Sequence, residues 1–296
     1  PMIPSISRIP DPPQLALVLG SGGVRSIAAV GIAEVLWRHG IRPQLVVGCS
    51  SGALFGALVA SATEPREALE MARRLWSQEL TTQRRWRAYA QLLAPRLAGF
   101  SADFALRDSS LIAQRIEQAF GDVRIEELPI PLRVTATDAV TGRPVVIDRG
   151  PLAPALRASM ALPFLFPPVR IDGRRLVDGV VSDPLPVSAA ARAQAVITLG
   201  FEGAMPRRVD RPSRLVAQHS TSLMNNLMRA RIEAAQERGQ GGPDADQRHG
   251  DSQGNRPRQH QPKAFGNAHD AHRVEFFRDT HHSNLRGDGR AGAASH

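Results

Sequence analysis

Leu15-Ala16-Leu17-Val18-Leu19-Gly20-Ser21-Gly22-Gly23-Val24-Arg25-Ser26 and, further on, Leu45-Val46-Val47-Gly48-Cys49-Ser50-Ser51-Gly52 decide how this chain folds. Each begins as an apolar run of strand length and breaks on glycine. After the first break Ile27, Val30, Ile32, Val35 and Leu36 recur at helical spacing; after the second, Ala53, Leu54, Ala57 and Leu58 do the same. The order is strand, glycine turn, helix, strand, serine turn, helix, which predicts an α/β architecture. In it the two turns lie side by side at the carboxyl edge of a parallel sheet.

The two turns suit different chemistry. A serine on a sharp strand-to-helix turn needs small neighbours because its backbone is strained and other segments approach closely, so Gly48 and Gly52 frame Ser50 as a nucleophile elbow. Gly22 and Gly23 leave backbone N–H groups converging at the start of a helix, where an oxyanion or phosphate is stabilised. Taken singly, G-x-S-x-G recurs by chance, and a glycine-rich loop also opens dinucleotide sites. The dinucleotide reading fails here. Counted from Gly20 the G-x-G-x-x-G spacing ends on Arg25, counted from Gly22 it ends on Ile27, and no acidic residue follows Val47 to hold a ribose. No cofactor is expected. Leu45 to Thr63 is uncharged, but the turn at its centre leaves each apolar half too short to span a bilayer.

With these residues in place the chain resembles the patatin-like phospholipase family. That family carries a glycine-rich G-S-G-G-x-R-G turn, a G-x-S-x-G serine and a later Asp-Gly-Gly or Asp-Gly-Ala. Here they stand as Gly20 to Ser26, Gly48 to Gly52, and Asp178-Gly179-Val180. Ala158-Ser159-Met160-Ala161-Leu162-Pro163 and Asp183-Pro184-Leu185-Pro186 extend the likeness over roughly residues 14 to 202. The resemblance implies a three-layer α/β fold, with a mainly parallel central sheet and helices on both faces. It also implies a lipid ester substrate and a Ser50-Asp178 dyad without histidine, facing an oxyanion hole made by Gly22, Gly23, Val24 and Arg25. Two positions depart from the pattern. Ser26 stands where the family has glycine, which strains the turn if that position requires positive φ, and Val180 is bulkier than the usual residue after Asp-Gly. These departures raise a rival reading, a non-catalytic lipid-binding relative.

The base follows partly by exclusion. Between residues 14 and 237 there are two histidines, His39 and His219. His39 ends a helix beside Gly40, a capping position. His219 leaves open a Ser50-Asp178-His219 triad in α/β-hydrolase order. A carboxylate at its ordinary pKa of about 3.9 is a weak base for a serine, but burial beside Val177 and Val180 would raise it. Arg25 either strengthens the potential at the oxyanion or braces its loop through a carboxylate.

Composition bounds the rest. With 296 residues, 42% apolar, the chain can bury one sizeable core. A single cysteine, Cys49, excludes a disulfide framework and a cysteine zinc site. Residues 1–13 read as an N-terminal extension without the basic start and apolar middle of a signal peptide, and Pro1 ahead of Met2 suggests a fragment or a displaced start. The expected location is the cytoplasm, peripheral to a membrane if the arginines touch one.

The net charge of +9 comes almost wholly from arginine, clustered at Arg73-Arg74, Arg84-Arg85-Arg87 and Arg207-Arg208-Arg211-Arg214. Solvated faces are the favoured reading, transient contact with an anionic membrane the alternative. Nucleic acid lacks both a motif and interleaved aromatics.

Further along, helices are expected over 64–79, 111–120, 152–159 and 215–235, the last with Leu223, Leu227 and Ile232 on its face. Asp108 reads as an N-cap, Gly121 as a stop, and Asp138 as a turn former. Strands are expected at 131–138, 145–147 and 195–200, with a hairpin on Asp172-Gly173. Trp76, Trp86, Tyr89 and Phe100 read as core, with an acyl-binding wall beside the active site as the alternative. Residues 14–237 form the hydrolase-like domain. Residues 238–296, rich in Gly, Gln, Asp and Arg, read as a disordered tail. Its histidines, among them His269, His272, His281 and His282, lack a periodic scaffold, so no metal site is expected. Codon degeneracy permits Leu285 to Gly289, read one base later, to encode an apolar strand, so a shifted frame is one origin for such a tail.

Overall fold

The computed structural model describes residues 14–62, 64–75, 88, 91, 94, 97, 99–206, 208–240 and 272–278. Among these described residues the central sheet has eight strands. β1 (Leu15–Leu19), β2 (Leu45–Cys49), β3 (Leu132–Asp138) and β7 (Ala195–Phe201) are mutually parallel in the order β3-β2-β1-β7. Antiparallel strands complete the sheet: β6 (Arg174–Asp178) beside β3, β5 (Val169–Ile171) beside β6, β4 (Pro144–Ile147) paired to β3, and β8 (His272–Arg278) beside β7.

The parallel strands are near-continuous apolar runs because both faces are covered. Leu17 and Leu19 of β1 point into a core shared with helices α1 (Ala28–Arg38), α2 (Ser51–Ser61), α3 (Pro65–Leu75), α4 (Ser110–Phe120) and α5 (Leu152–Ser159). Ala16 and Val18 point the other way, onto Leu185, Val187 and the Met228–Ile232–Ala235 face of α6 (Pro212–Gln240). This is the expected three-layer arrangement. Helix α2 is buried from Ser51 to Ala60, apolar all round as a central helix must be.

The expected turns recur at their residues. Gly121 (φ +54°) ends α4, and Asp172 and Gly173 (φ +49° and +74°) close the hairpin. Asp138 accepts the Val140 and Thr141 amides, which hold its carboxyl below the ordinary range and fix it as a turn former.

Four expectations are corrected. The cap of α4 is Ser109, and Asp108 accepts the Ser110 amide one residue earlier. Leu223 is exposed, because the α6 face turned to the sheet runs through Asn225, Met228 and Ile232. Phe100 is half-exposed and stacks near Phe104, with 5.2 Å between ring centroids; Trp76, Trp86 and Tyr89 lie outside the described residues. Within the tail read as disorder, His272–Arg278 forms a seven-residue strand on β7, from Ala195 opposite Arg278 to Phe201 opposite His272. An open strand edge offers backbone partners whatever the composition around them, and Val274, Phe276 and Phe277 favour extended chain.

Candidate active site

Strand register alone draws the two turns and Asp178 together. Leu19 lies opposite Gly48, Cys49 opposite Thr135, and Ala136 opposite Asp178, so residues distant in sequence end on one edge of the sheet. Ser50 leaves β2 with φ +56° and ψ −126°, a conformation that costs a non-glycine residue about 1–3 kcal/mol and turns the chain into α2 within one residue. Its framing glycines are required by close approach. A Cβ on Gly48 would meet Ala53 Cα at 2.4 Å, and one on Gly52 would meet the Leu19 and Gly20 carbonyl oxygens at 2.4 Å.

The Ser50 hydroxyl donates to Asp178 Oδ2 at 2.8 Å. Asp178 ends β6, is 2% exposed, and accepts the Val180 amide on Oδ1 at 2.9 Å. Burial pushes its pKa up to about 7, against the opposing pull of the Val180 and Ser50 hydrogen bonds. Gly179 lets the strand end so close to β3, since a Cβ there would sit 2.6 Å from the Thr135 carbonyl oxygen. Beneath the pair Cys49 is buried, its thiol pKa raised by burial and by the Asp178 charge, which makes it an inert neighbour.

A brace that the sequence reading did not identify holds Ser50 from behind. Its backbone N–H donates to Ser159 Oγ at 2.8 Å, and the buried Ser159 Oγ donates to the Thr135 carbonyl at 2.6 Å. The strained elbow is thereby tied to both α5 and β3. Ser159 stood in the family-like stretch 158–163, but nothing in local pattern reveals a bond to a residue 109 positions away.

The glycine turn forms a 3-10 helix over Gly23–Ile27. Gly23 and Val24 head it, and the first N–H groups of such a turn have no intrahelical acceptor. Gly22 is different. Its amide donates to Ser51 Oγ at 3.2 Å, and Ser51 Oγ bonds Ser26 Oγ at 2.9 Å. Arg25 braces the loop through carbonyls, not a carboxylate: Nη2 donates to Glu202 O at 2.9 Å, Nε to Gly22 O at 3.5 Å, and the guanidinium lies over the Phe201 ring at 5.1 Å. Ser26 is buried and is not among the positive-φ residues, so the strain anticipated for a non-glycine there does not arise.

Ser50, Asp178 and the Gly22–Gly23 turn line one cavity of about 320 Å³, whose other walls include Ile112, Leu162, Phe166, Val180 and Met224. His219 is not among its lining residues. It is exposed on α6, with Nδ1 against the Leu215 carbonyl at 2.9 Å, so the triad alternative lacks its histidine. His39 likewise meets the Val35 carbonyl at its helix end.

Fold and site together define an α/β protein built on a serine elbow, with a carboxylate in place of histidine as the serine's partner. The chain belongs to the patatin-like phospholipase family, whose model matches residues 17–191. An uncharacterised NTE family protein of Mycobacterium tuberculosis is 37% identical over 187 residues, 63% of this chain and 48% of that one. The neuropathy target esterase sws of Drosophila melanogaster is 34% identical over 179 residues, 58% of this chain and 12% of that one. The chain thus spans about half the length of the mycobacterial relatives it matches. The crystal structure of VipD from Legionella pneumophila is similar over 79% of this chain and 57% of that one, with a TM-score of 0.42 and 17% identity.

Proposed function

We propose that the protein is a serine acyl hydrolase of lipid esters, with Ser50 as nucleophile and Asp178 as general base. The observation that carries this is the 2.8 Å bond between the Ser50 hydroxyl and a buried carboxylate of pKa about 7, facing an apolar cavity. A base whose pKa lies near neutrality is well matched to removing a serine proton, and the cavity walls suit an acyl chain.

The steps follow from those positions. Asp178 Oδ2 takes the proton as Ser50 Oγ bonds to the ester carbonyl carbon. The oxygen that becomes negative is met by the amides heading the Gly23 turn, each such donor lowering the barrier by about 3 kcal/mol. Collapse breaks the bond to the leaving alkoxide, which receives the proton from Asp178. Water, deprotonated by Asp178, then attacks the acyl-serine ester and releases the acid, restoring the Ser50 hydroxyl. No metal or cofactor enters these steps.

The rival reading as a non-catalytic lipid binder rested on Ser26 and Val180. Ser26 bonds Ser51, and Val180 gives its amide to Asp178, so both departures fit an intact site. A fluorophosphonate probe separates the two. Labelling of the full chain that disappears in Ser50→Ala and persists in His219→Ala is the expected result. Folded protein that takes no label refutes the hydrolase.

A further inference from the structure

Among the exposed apolar residues, Leu215, Val216 and Leu223 share one helix with two residues that line the cavity, Met224 and Met228. From Ser222 onward α6 is pinned to the body: Asn225 exchanges hydrogen bonds with the Gly203 backbone at 2.8 and 3.0 Å, Arg229 pairs with Glu202 at 2.7 Å, and Met224 and Met228 line the cavity. Before that point the contact thins to Thr221 against Gly203. None of residues 214–224 is buried, and the twelve residues Pro212 to Leu223 extend about 18 Å. Val216 and Leu223 are 66% and 70% exposed, two turns apart on one face, and Leu215 is 46% exposed beside them. Val216 stands nine residues, two and a half turns, from buried Asn225, so its face is the one opposite the core. Met205 and Val209, in the loop leading to the helix, are also exposed.

The charge on this segment has one sign. Between 203 and 224 there are four arginines (207, 208, 211 and 214) and one acid, Asp210, and the Asp210 carboxylate is taken by Arg214 at 2.8 Å. Arg208 and Arg211 are exposed beside the apolar residues. A helix with exposed leucine and valine, flanked by arginine and almost free of acids, matches the interface of an anionic bilayer, where apolar groups enter the acyl boundary and guanidinium groups meet phosphates.

We propose that the first half of α6, with loop residues 204–206 and 208–211, is the face by which the protein docks on an anionic lipid surface. The inference rests on the lipid-ester reading for its purpose, since the same helix that docks also lines the cavity through Met224 and Met228. It assigns to one of the three arginine clusters a role that the sequence alone leaves as a solvated face.

The test is sedimentation of the full chain, carrying Ser50→Ala to prevent hydrolysis, with phosphatidylcholine vesicles with and without phosphatidylglycerol. Binding is expected to the mixed vesicles. Arg208→Gln with Arg211→Gln should weaken it about thirtyfold, and Leu215→Ser with Leu223→Ser about tenfold or more. With Ser50 intact, both pairs should leave hydrolysis of a short soluble ester unchanged, and hydrogen exchange across 212–223 should slow when mixed vesicles are added. Equal binding to neutral and mixed vesicles, or variants that bind like the parent, overturns the proposal. So does a parent dimer that the leucine pair converts to monomer without loss of vesicle binding, because a second copy then covers the face. Vesicle binding does not require Ser50, so a failed dyad and a failed docking face give different results.

Discussion

Replacing Asp178 by asparagine should remove most of the activity and at the same time stabilise the protein, by an amount that depends on pH. Burial moves this carboxyl from 3.8 to about 7. Below about pH 4 the group is neutral in both folded and unfolded chains. As pH rises, the unfolded chain ionises first and gains what the folded chain cannot. The stability contributed by the raised pKa is therefore complete below 3.8 and is lost by the time pH passes 7. At about 1.4 kcal/mol per pH unit of pKa difference, the full loss is about 4 kcal/mol, an upper bound.

Asparagine keeps the shape and the partners. Its carbonyl accepts the Val180 amide, and its NH₂ donates to the Ser50 oxygen, so the exchange of hydrogen bonds adds a term that does not vary with pH. Urea unfolding of parent and Asp178→Asn should give a stability difference that grows in favour of asparagine between pH 4 and pH 7, by 2–4 kcal/mol, and is flat above. Over the same range kcat/KM of the parent should rise about tenfold per pH unit and level off near 7, while the variant stays 10²–10⁴-fold lower. A stability difference independent of pH, or one growing in favour of aspartate, would refute a buried carboxyl of raised pKa and remove the physical case for Asp178 as base.

Three further outcomes follow from single contacts. Ser159→Ala leaves the Ser50 amide and the Thr135 carbonyl without their partner, so kcat should fall about ten- to a hundredfold with KM unchanged, and urea unfolding should show a loss of about 1–3 kcal/mol. Gly52→Ala sets a methyl 2.4 Å from the Leu19 and Gly20 carbonyl oxygens, and should cost about 3 kcal/mol or more and eliminate probe labelling; a stable, labelled variant would show that the elbow does not need this approach. Val180→Ala thins the apolar wall over Asp178, so the inflection of kcat/KM against pH should move about half a pH unit toward acid, and an unmoved or alkaline inflection would show that Val180 does not contribute to the raised pKa.

What the sequence disclosed was whatever leaves a local or periodic trace. Leu15–Leu19 and Leu45–Cys49 read as strands because a doubly covered sheet demands unbroken apolar runs, and Asp172-Gly173 as a hairpin because positive φ selects those residues. Ser50 and Asp178 were legible because each sits in a turn where glycine is required by backbone crowding. The Ser159 brace was not, since its bonds join α5, β3 and the elbow across long loops. The side of α6 that meets the sheet was misjudged at Leu223 for a related reason. An apolar residue near the start of a long helix satisfies helical periodicity whether its face meets a core or not, and only the register of Asn225 on Gly203 decides which. β8 was hidden by composition, because a strand that completes an edge gains its hydrogen bonds from the neighbour and needs no pattern of its own.

Ser26 shows how a departure from a family pattern can be mistaken for damage. Read as a missing glycine, it threatens the geometry of the oxyanion turn. In the structure its backbone lies outside the positive-φ region, and its hydroxyl reaches Ser51, whose own oxygen already accepts the Gly22 amide. The turn offered to the substrate is thus joined to the first residue of the helix that carries the nucleophile, by hydroxyls that can each donate and accept. Ser159 performs the corresponding service on the other side of Ser50. A strained serine keeps its conformation only where the surroundings over-determine it. Here short hydroxyl side chains on both sides do so without placing a competing charge beside Asp178, whose raised pKa depends on the absence of one.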